Sequence, residues 1–330
     1  MPRSTWIPVV ALISLAAACK DSDQSRTTST TSGAAPTVSA TAVAAPTEQP
    51  AATPVSYEGA ESVFSAGRYS EAAELFTTYT GTHPENPWGH YMLGMSAWRA
   101  GDREKAMSAF DQALSLDSTH RKSLFNSGRV LLETGRAKEA LVRIQKALDQ
   151  EPTSNEGLRL LGRASYETGN VDSAIQAYHR ALSIDERDVW SMNNLGLIYI
   201  QQERSNEAIP PLARAVELRS NSPVFQNNLA TALERSGYPA AAAKAYEAAL
   251  AADSTYAKAS VGLARVTGGG QQPESTSVDL AALSQGFQDQ IETWQLTATV
   301  EDSTETVSDS VLISGGEVSD TLHEECDHDM

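Results

Sequence analysis

Residues 155–188 read NEGLRLLGRASYETGNVDSAIQAYHRALSIDERD, and this stretch decides the fold. Its eighth residue is Gly162, its twentieth is Ala174 and its twenty-seventh is Ala181. Small residues return at the same three offsets in the 34-residue stretches on either side. The stretch is therefore one copy of a repeat, and six copies without an insertion run from residue 53 to residue 256.

Each copy carries two stretches of helical periodicity. Helices this short are marginal alone in water, so each must bury a face on its neighbours. Small residues let two helices approach closely where they cross, and larger apolar residues fill the remaining space. The eighth positions hold Ala60, Gly94, Gly128, Gly162, Gly196 and Ala230, the twentieth hold Ala72, Ala106, Ala140, Ala174, Ala208 and Ala242, and the twenty-fourth hold Phe76, Phe110, Ile144, Tyr178, Leu212 and Tyr246.

A glycine separates the two helices in most copies. These glycines are Gly67, Gly101, Gly135, Gly169 and Gly237. Glycine readily adopts the left-handed backbone that ends one helix before the next begins. The fifth copy has Glu203 instead, so we expect its turn to be strained or differently shaped.

This pattern resembles the tetratricopeptide repeat, a helix-turn-helix unit of 34 residues. The resemblance implies an all-α fold, a right-handed superhelical solenoid. The repeats would be 53–86, 87–120, 121–154, 155–188, 189–222 and 223–256, followed by a capping helix that ends at residue 266. The sequence departs from the family consensus because no repeat has tryptophan at its fourth position, and only Tyr199 keeps the tyrosine of the eleventh.

The amino-terminal residues 1–18 are typical of a lipoprotein export signal. Arg3 supplies a positive charge, and residues 6–17 form an apolar run too short to span a membrane. Residues 15–19 read LAAAC, which resembles a bacterial lipobox. The resemblance implies that Cys19 is lipidated and becomes the mature terminus, with acyl chains that anchor it stably. A plain secretory signal cut after Ala18 is the alternative.

Residues 19–52 would link this anchor to the repeats. They are rich in serine, threonine, alanine and proline and cannot bury a core, which predicts a disordered tether. Lys20 stands where some lipoproteins carry the aspartate that retains them in the inner membrane. We therefore expect a bacterial envelope protein, lipid-anchored at the outer membrane and facing the periplasm.

The net charge of −17 is unevenly spread along the chain. After Arg265 there are 14 acidic residues and no lysine or arginine. A nearly balanced solenoid with an acidic tail argues against nucleic-acid binding, which normally needs a basic face. If Cys19 is lipidated, Cys326 is left alone and no disulfide framework stabilises the fold.

By the resemblance, the first helix of each repeat lines a concave groove. The residues that would point into it are Trp88, Tyr91, Met95, Trp98, Lys122, Asn126, Arg129, Arg159, Arg163, Tyr166, Trp190, Asn193, Asn194, Asn227 and Asn228. Asparagine can bond an extended peptide backbone as donor and acceptor, and arginine can bind a carboxylate at two points. These residues predict a groove for an extended or helical peptide of acidic character. A solvated face without a dedicated ligand is the alternative.

The acidic tail, residues 267–330, contains one amphipathic pattern. Leu280, Leu283, Phe287, Ile291 and Trp294 form a stripe that predicts a helix over residues 278–296. We expect this helix to dock on the solenoid, and docking in the groove would make it a lid. An isolated, fraying helix is the alternative. Beyond Thr297 we expect an unstructured acidic chain with a short strand at 311–313.

The sequence contains no motif of a known enzyme class. Gly268, Gly269 and Gly270 lack the lysine of a phosphate-binding loop, and no Gly-x-Ser-x-Gly elbow occurs. His323, Cys326 and His328 are ligand types, but a terminal tail gives no preorganised tetrahedral site. We expect no catalytic residue, no cofactor, no metal and no small-molecule substrate.

These observations predict an envelope-anchored scaffold that binds a peptide or partner protein in its groove during complex assembly. Two alternatives remain. One is a regulatory protein whose acidic tail gates the groove. The other is a soluble periplasmic chaperone, which requires that Cys19 is not lipidated.

Overall fold

The computed structural model describes residues 55–268 and 277–314, with side chains described up to residue 297. Within these ranges the protein is all α-helical and contains no strand. The helices are α1 (Tyr57–Ser65), α2 (Tyr69–Thr82), α3 (Pro87–Arg99), α4 (Arg103–Leu116), α5 (Arg121–Glu133), α6 (Ala137–Leu148), α7 (Asn155–Glu167), α8 (Val171–Ile184), α9 (Val189–Gln201), α10 (Ser205–Leu218), α11 (Pro223–Arg235), α12 (Pro239–Ala252), α13 (Ala257–Thr267) and α14 (Leu280–Ser314).

The helices stack in chain order, two per repeat. From α1 to α13, consecutive helices pack on each other. The first helices of consecutive repeats (α1, α3, α5, α7, α9, α11 and α13) also contact each other. Among the described residues, the backbones of consecutive second helices do not approach each other in this way, although Arg143 of α6 forms an ion pair with Asp111 of α4 over 2.7 Å. The first helices therefore form a continuous surface on the inner side of the stack, and the second helices lie outside.

A polar residue at the end of each of the first five repeats caps the first helix of the next repeat. Asn86, His120, Ser154, Asp188 and Ser222 each accept a hydrogen bond from a backbone N–H in the first turn that follows. Such a cap satisfies one of the donors that a helix leaves unpaired at its start. The cap residues are spaced by the repeat length, so the five helices that they cap begin at the same repeat position.

The small eighth positions are places of close helix approach. At Gly162, an added Cβ would lie 2.7 Å from Cζ of Tyr178, the twenty-fourth residue of the same repeat. Tyr178 is itself almost fully buried. In α13, which has no second helix after it in the described part of the chain, the eighth residue Ala264 is exposed.

The turn at Glu203 has the same shape as the glycine turns. Glu203 has φ +62°, and it is the one described non-glycine residue with positive φ. The five glycines have φ between +74° and +91°. Arg204 N donates to Tyr199 O over 2.8 Å, as Asn170 N donates to Ser165 O over 2.8 Å one repeat earlier. The expectation of a differently shaped turn is wrong, because the same hydrogen bonds hold Glu203 in the left-handed region.

The tail helix α14 packs on α8 and α10, the second helices of the fourth and fifth repeats. Its apolar stripe faces them, with Phe287 and Ile291 buried and Trp294 half-buried. The Trp294 ring stacks on His179 with centroids 3.9 Å apart. Gln288 of α14 bonds two residues of the repeats. It accepts from Arg214 Nη2 over 2.8 Å and donates to Glu186 Oε2 over 3.1 Å.

The structure answers one open question about the tail and contradicts one prediction. The described residues of α14 contact no first helix, so the helix does not lie in the groove as a lid. The physical reason is that an apolar stripe finds apolar partners on α8 and α10, whereas the groove carries arginine and asparagine. In addition, α14 extends to Ser314, so residues 298–314 are helical rather than unstructured, and 311–313 is not a strand.

No helix in the described ranges is both long enough and apolar enough to cross a membrane. The predicted export signal, Cys19 and the tether lie outside those ranges, as do His323, Cys326 and His328.

Candidate binding groove

The groove surface is formed by α3, α5, α7, α9 and α11, and each contributes one or two turns of predicted site residues. Its amino-terminal end is aromatic. Trp88 is 45% exposed, and its ring packs edge-on against Tyr91 and His120, with centroids 5.8 and 4.5 Å away. Lys122 Nζ lies 5.2 Å from the centroid of the Trp88 ring. This end offers an open indole face under a cation.

The neighbours of Trp88 are buried rather than available. Tyr91 is buried, and that burial raises the pKa of its hydroxyl. His120 caps α5 through Nδ1, and burial lowers its pKa, so the ring is neutral at pH 7. Both residues therefore support the Trp88 ring, and only Trp88 presents a large apolar surface to solvent here.

Trp98 and Met95 lie further along α3 and are half-buried. Trp98 Nε1 donates to the Glu133 carboxylate over 3.1 and 3.2 Å. The Arg129 guanidinium lies 5.2 Å from the Trp98 ring centroid. The Trp98 indole is therefore held in place by the protein's own groups, and its N–H is already used.

The three arginines in the middle of the groove are already paired. Arg129 bonds Glu156, Arg159 Nη1 bonds Asp188 Oδ1 over 3.2 Å, and Arg163 Nε bonds Glu167 Oε1 over 2.8 Å. Burial, followed by the nearby charge of Arg159, lowers the pKa of Arg129. An acidic ligand would therefore compete with carboxylates of the protein.

A cavity of about 260 Å³ opens between these arginines and the next repeat. It is lined by Arg129, Glu156, Arg159, Leu160, Arg163, Trp190 and Asn194. Sequence reasoning missed Glu156, although it is the second residue of its repeat, the position that also holds Trp88, Lys122 and Trp190. This shared repeat position is the signal that identifies Glu156 as a groove residue.

Four asparagines form one hydrogen-bonded row across α9 and α11. Asn227 Nδ2 donates to Asn228 Oδ1, Asn228 Nδ2 donates to Asn193 Oδ1 over 2.8 Å, and Asn193 Nδ2 donates to Asn194 Oδ1. Asn194 Nδ2 then donates to the Tyr178 hydroxyl over 3.2 Å. Each Nδ2 has two hydrogens and uses one in this row.

The four amides are not equally accessible. Asn193 and Asn227 are buried, whereas Asn194 and Asn228 are half-buried and border the groove. The buried pair fixes the orientation of the accessible pair, since each accessible carbonyl accepts from a buried neighbour. Asn194 and Asn228 each keep one N–H free among the described residues.

Trp190 stands next to this row and is 45% exposed. Its ring packs edge-on against Phe225 at 5.1 Å, and the Arg219 guanidinium lies 5.8 Å from its centroid. Trp190 therefore repeats the arrangement of Trp88, an exposed indole with a buried aromatic partner and a cation.

Three other residues that were predicted to point into the groove contribute less to its binding surface. Asn126 accepts from Arg129 Nη1 over 3.3 Å and orients it. Lys122 is exposed, and Tyr166 is half-buried against the core. Among the described residues, no group of histidine, cysteine, aspartate and glutamate side chains could hold a metal ion.

Comparisons with known proteins agree with this architecture. Family models described as tetratricopeptide repeat match residues 57–120, 91–154 and 189–221, and one described as TPR repeat matches residues 162–203. The chain therefore carries tetratricopeptide repeats. A search of curated proteins gives no match.

Several solved structures are similar in fold. The APC/C hetero-tetramer Cut9-Hcn1 gives a TM-score of 0.55 at 20% identity, over 63% of this chain and 41% of that one. A tetratricopeptide repeat protein from Parabacteroides merdae ATCC 43184 gives a TM-score of 0.50 at 18% identity, over 69% of this chain and 95% of that one. MamA from Desulfovibrio magneticus RS-1 gives a TM-score of 0.47 at 22% identity, over 49% of this chain and 91% of that one. The predicted all-α repeat solenoid is confirmed, and at these identities the likeness shows the fold alone.

Proposed function

We propose that this protein is a non-enzymatic interaction scaffold that holds an extended segment of a partner protein in the groove of its first helices. Tetratricopeptide repeats are generally non-catalytic and bind protein or peptide partners. The single observation that carries the proposal for this chain is the row of asparagines across α9 and α11, because it holds two accessible amides in fixed orientation.

The asparagine row suits a peptide main chain. Asn194 and Asn228 each offer a free N–H, and each carbonyl oxygen keeps a second lone pair. A peptide backbone needs a donor and an acceptor at each residue, so the two amides can bond it whatever its side chains are. Such contacts give affinity, and neighbouring pockets give specificity.

Specificity comes from the groups beside the row. Trp190 offers an apolar ring to one side chain of the peptide, and large aromatic anchors carry much of the binding energy in interfaces. The cavity between the arginines would take a polar or acidic side chain of the partner, which must displace Glu156 from Arg129. We therefore propose an extended segment with one large apolar residue and one acidic residue nearby.

The proposed place of action is the bacterial envelope, with Cys19 as the lipid anchor and the outer membrane as the membrane. The LAAAC sequence at residues 15–19 and the polar composition of residues 19–52 support it. The partner would then be a component of an envelope complex that the scaffold helps to assemble.

The groove is tested with peptides selected from a random library on the purified wild-type protein. We expect Asn194→Ala with Asn228→Ala to raise the Kd about thirtyfold, since each of the two lost hydrogen bonds contributes about 1 kcal/mol. Trp190→Ala should cost about 2 kcal/mol. Asn206→Ala, at an exposed position on α10, is the matched control. Selected peptides that bind all variants like the wild type would place their site elsewhere and refute the groove.

The anchor is tested by metabolic labelling with a clickable fatty acid, followed by membrane fractionation of wild type and Cys19→Ser. We expect label and membrane recovery in the wild type and loss of both in the variant. An unlabelled, soluble wild type would refute the anchor and favour a periplasmic chaperone, while leaving the groove proposal intact.

A further inference from the structure

A second cavity lies away from the groove, among α10, α11, α12 and the start of α14. Its volume is about 480 Å³. Its walls are mostly apolar, with Val216, Leu229 and Ala241 on the repeats and Val278 and Leu280 at the beginning of the tail helix. This size falls in the range of about 300–1,000 Å³ that is usual for small-molecule pockets.

Small residues keep this cavity open. Helix α12 begins PAAAAKA, and apart from Lys244 it places only alanines in the wall, namely Ala240, Ala241 and Ala245. On the other side of α10, Phe287 and Ile291 of the tail helix pack on α8 and α10 and are buried. The tail helix thus covers one side of α10 with large side chains and only borders the other side with its first turn.

Three polar side chains, Gln226, Lys244 and Ser277, line the cavity among the apolar walls. Gln226 is buried, and its Nε2 donates to Ser220 O over 3.0 Å. Lys244 is exposed, and among the described residues it forms no ion pair. Lys244 is the one charged residue in the described lining, so its ammonium is the group with which the cavity could bind an anion.

We propose that this cavity binds an alkyl carboxylate, a free medium-chain fatty acid, with the alkyl chain between α10 and α12 and the carboxylate on Lys244. One cation at the mouth of an apolar cleft complements one anionic head on an aliphatic body. The site is independent of the groove, and it assigns to the chain a small ligand that the sequence did not predict.

The test is calorimetric titration of the purified full chain with hexanoate, octanoate and decanoate, each as a monomer in solution. We expect the Kd to fall about fourfold for each added methylene until the cleft is full, the factor that corresponds to burying one methylene. Lys244→Gln should raise the Kd for decanoate about fivefold, as for an exposed ion pair. It should leave the Kd for neutral decanol unchanged. Lys258→Gln, an exposed lysine on α13, is the control.

A second pair of variants tests the place of the alkyl chain. Ala240→Phe puts a ring into the cleft and should abolish binding, whereas Ala251→Phe, at an exposed position on the same helix, should not. Circular dichroism is used to check that both variants are folded. Three results overturn the proposal: no binding of any fatty acid by the wild type, equal binding by the folded Ala240→Phe variant, or equal loss of decanoate and decanol in Lys244→Gln.

Discussion

Glu203 holds a backbone conformation that glycine holds at the equivalent turn of five other repeats. An L-residue with a side chain loses about 1–2 kcal/mol in the left-handed region. The Glu203 side chain is exposed and forms no hydrogen bond or ion pair with the described residues that would offset this cost. The turn between α9 and α10 is therefore a weak point in the stack.

We predict that Glu203→Gly stabilises the protein. Part of the gain is lost to the greater freedom of glycine in the unfolded chain, so we expect about 1 kcal/mol and a rise in Tm of a few degrees. Thermal unfolding followed by circular dichroism measures it. Gly169→Glu, at the same turn one repeat earlier, should lower the Tm by a similar amount. An unchanged Tm in both variants would show that the turn geometry costs nothing.

The sequence predicts the structural role of a single residue well when the same role recurs at one position of every repeat. Gly162 and Ala174 were recognised as packing residues because their role recurs at a fixed offset. The sequence does not predict the pairing of Arg129 with Glu156. A repeat position indicates which face of the helix a side chain occupies, but it does not indicate which neighbour that side chain bonds. Asn193 has the same problem, since its repeat position points to the groove while its amide is buried against Asn194 and Asn228.

At the scale of elements, the tail helix shows what an amphipathic pattern leaves open. The stripe of Phe287, Ile291 and Trp294 predicted that one face is buried. It did not predict where, because α8 and α10 are brought side by side only by the stacking of two repeats. The sequence also ended the helix too early, because polar residues after Thr297 carry little periodicity.

We predict that docking of α14 weakens as the pH falls. Burial under Trp294 lowers the pKa of His179 to about 4, against an ordinary value of about 6.5. Above pH 6.5 the ring is neutral whether or not α14 is docked. Between pH 6.5 and 4 the undocked ring binds a proton that the docked ring does not, so docking is progressively lost. Hydrogen exchange of residues 280–297, corrected for intrinsic rates, measures this.

His179→Phe is the control for that experiment, because it keeps a ring under Trp294 and removes the titration. The other charged groups around the contact are Glu186, Arg214 and Glu217 on the repeats and Asp289 and Glu292 on the tail. Hydrogen bonds from Ser284 and Arg214 lower the pKa of Glu217, so its protonation also weakens docking, but only below the ordinary glutamate range. A variant with the pH profile of the wild type would show that His179 is not responsible.

At the scale of the whole molecule, the tail and the groove lie on different surfaces. Helix α14 contacts second helices, and the groove is formed by first helices. We predict that deleting residues 271–330 leaves the affinity of groove-bound peptides unchanged. A gate would couple the two sites, and such coupling typically changes affinity by at least about fivefold. Titration of the selected peptides into both chains measures the difference.

The full chain with Ile291→Ala and Trp294→Ala separates undocking from deletion in that experiment. Both substitutions remove side chains that pack on α8 and α10 and leave the acidic residues in place. If either variant binds peptides at least fivefold more tightly, the tail does regulate the groove. The scaffold with an independent tail would then be the wrong description.

The capping residues at the ends of the repeats have a consequence for how such a chain can change its length. Asn86, His120, Ser154, Asp188 and Ser222 each belong to one period, while the helix that each one starts belongs to the next. A genetic duplication or excision of one whole period within residues 86–222 rejoins a capping side chain to a helix start, whichever position of the period the crossover takes. Unequal recombination can therefore lengthen or shorten the stack, and with it the reach of the groove, without leaving an uncapped helix at the junction.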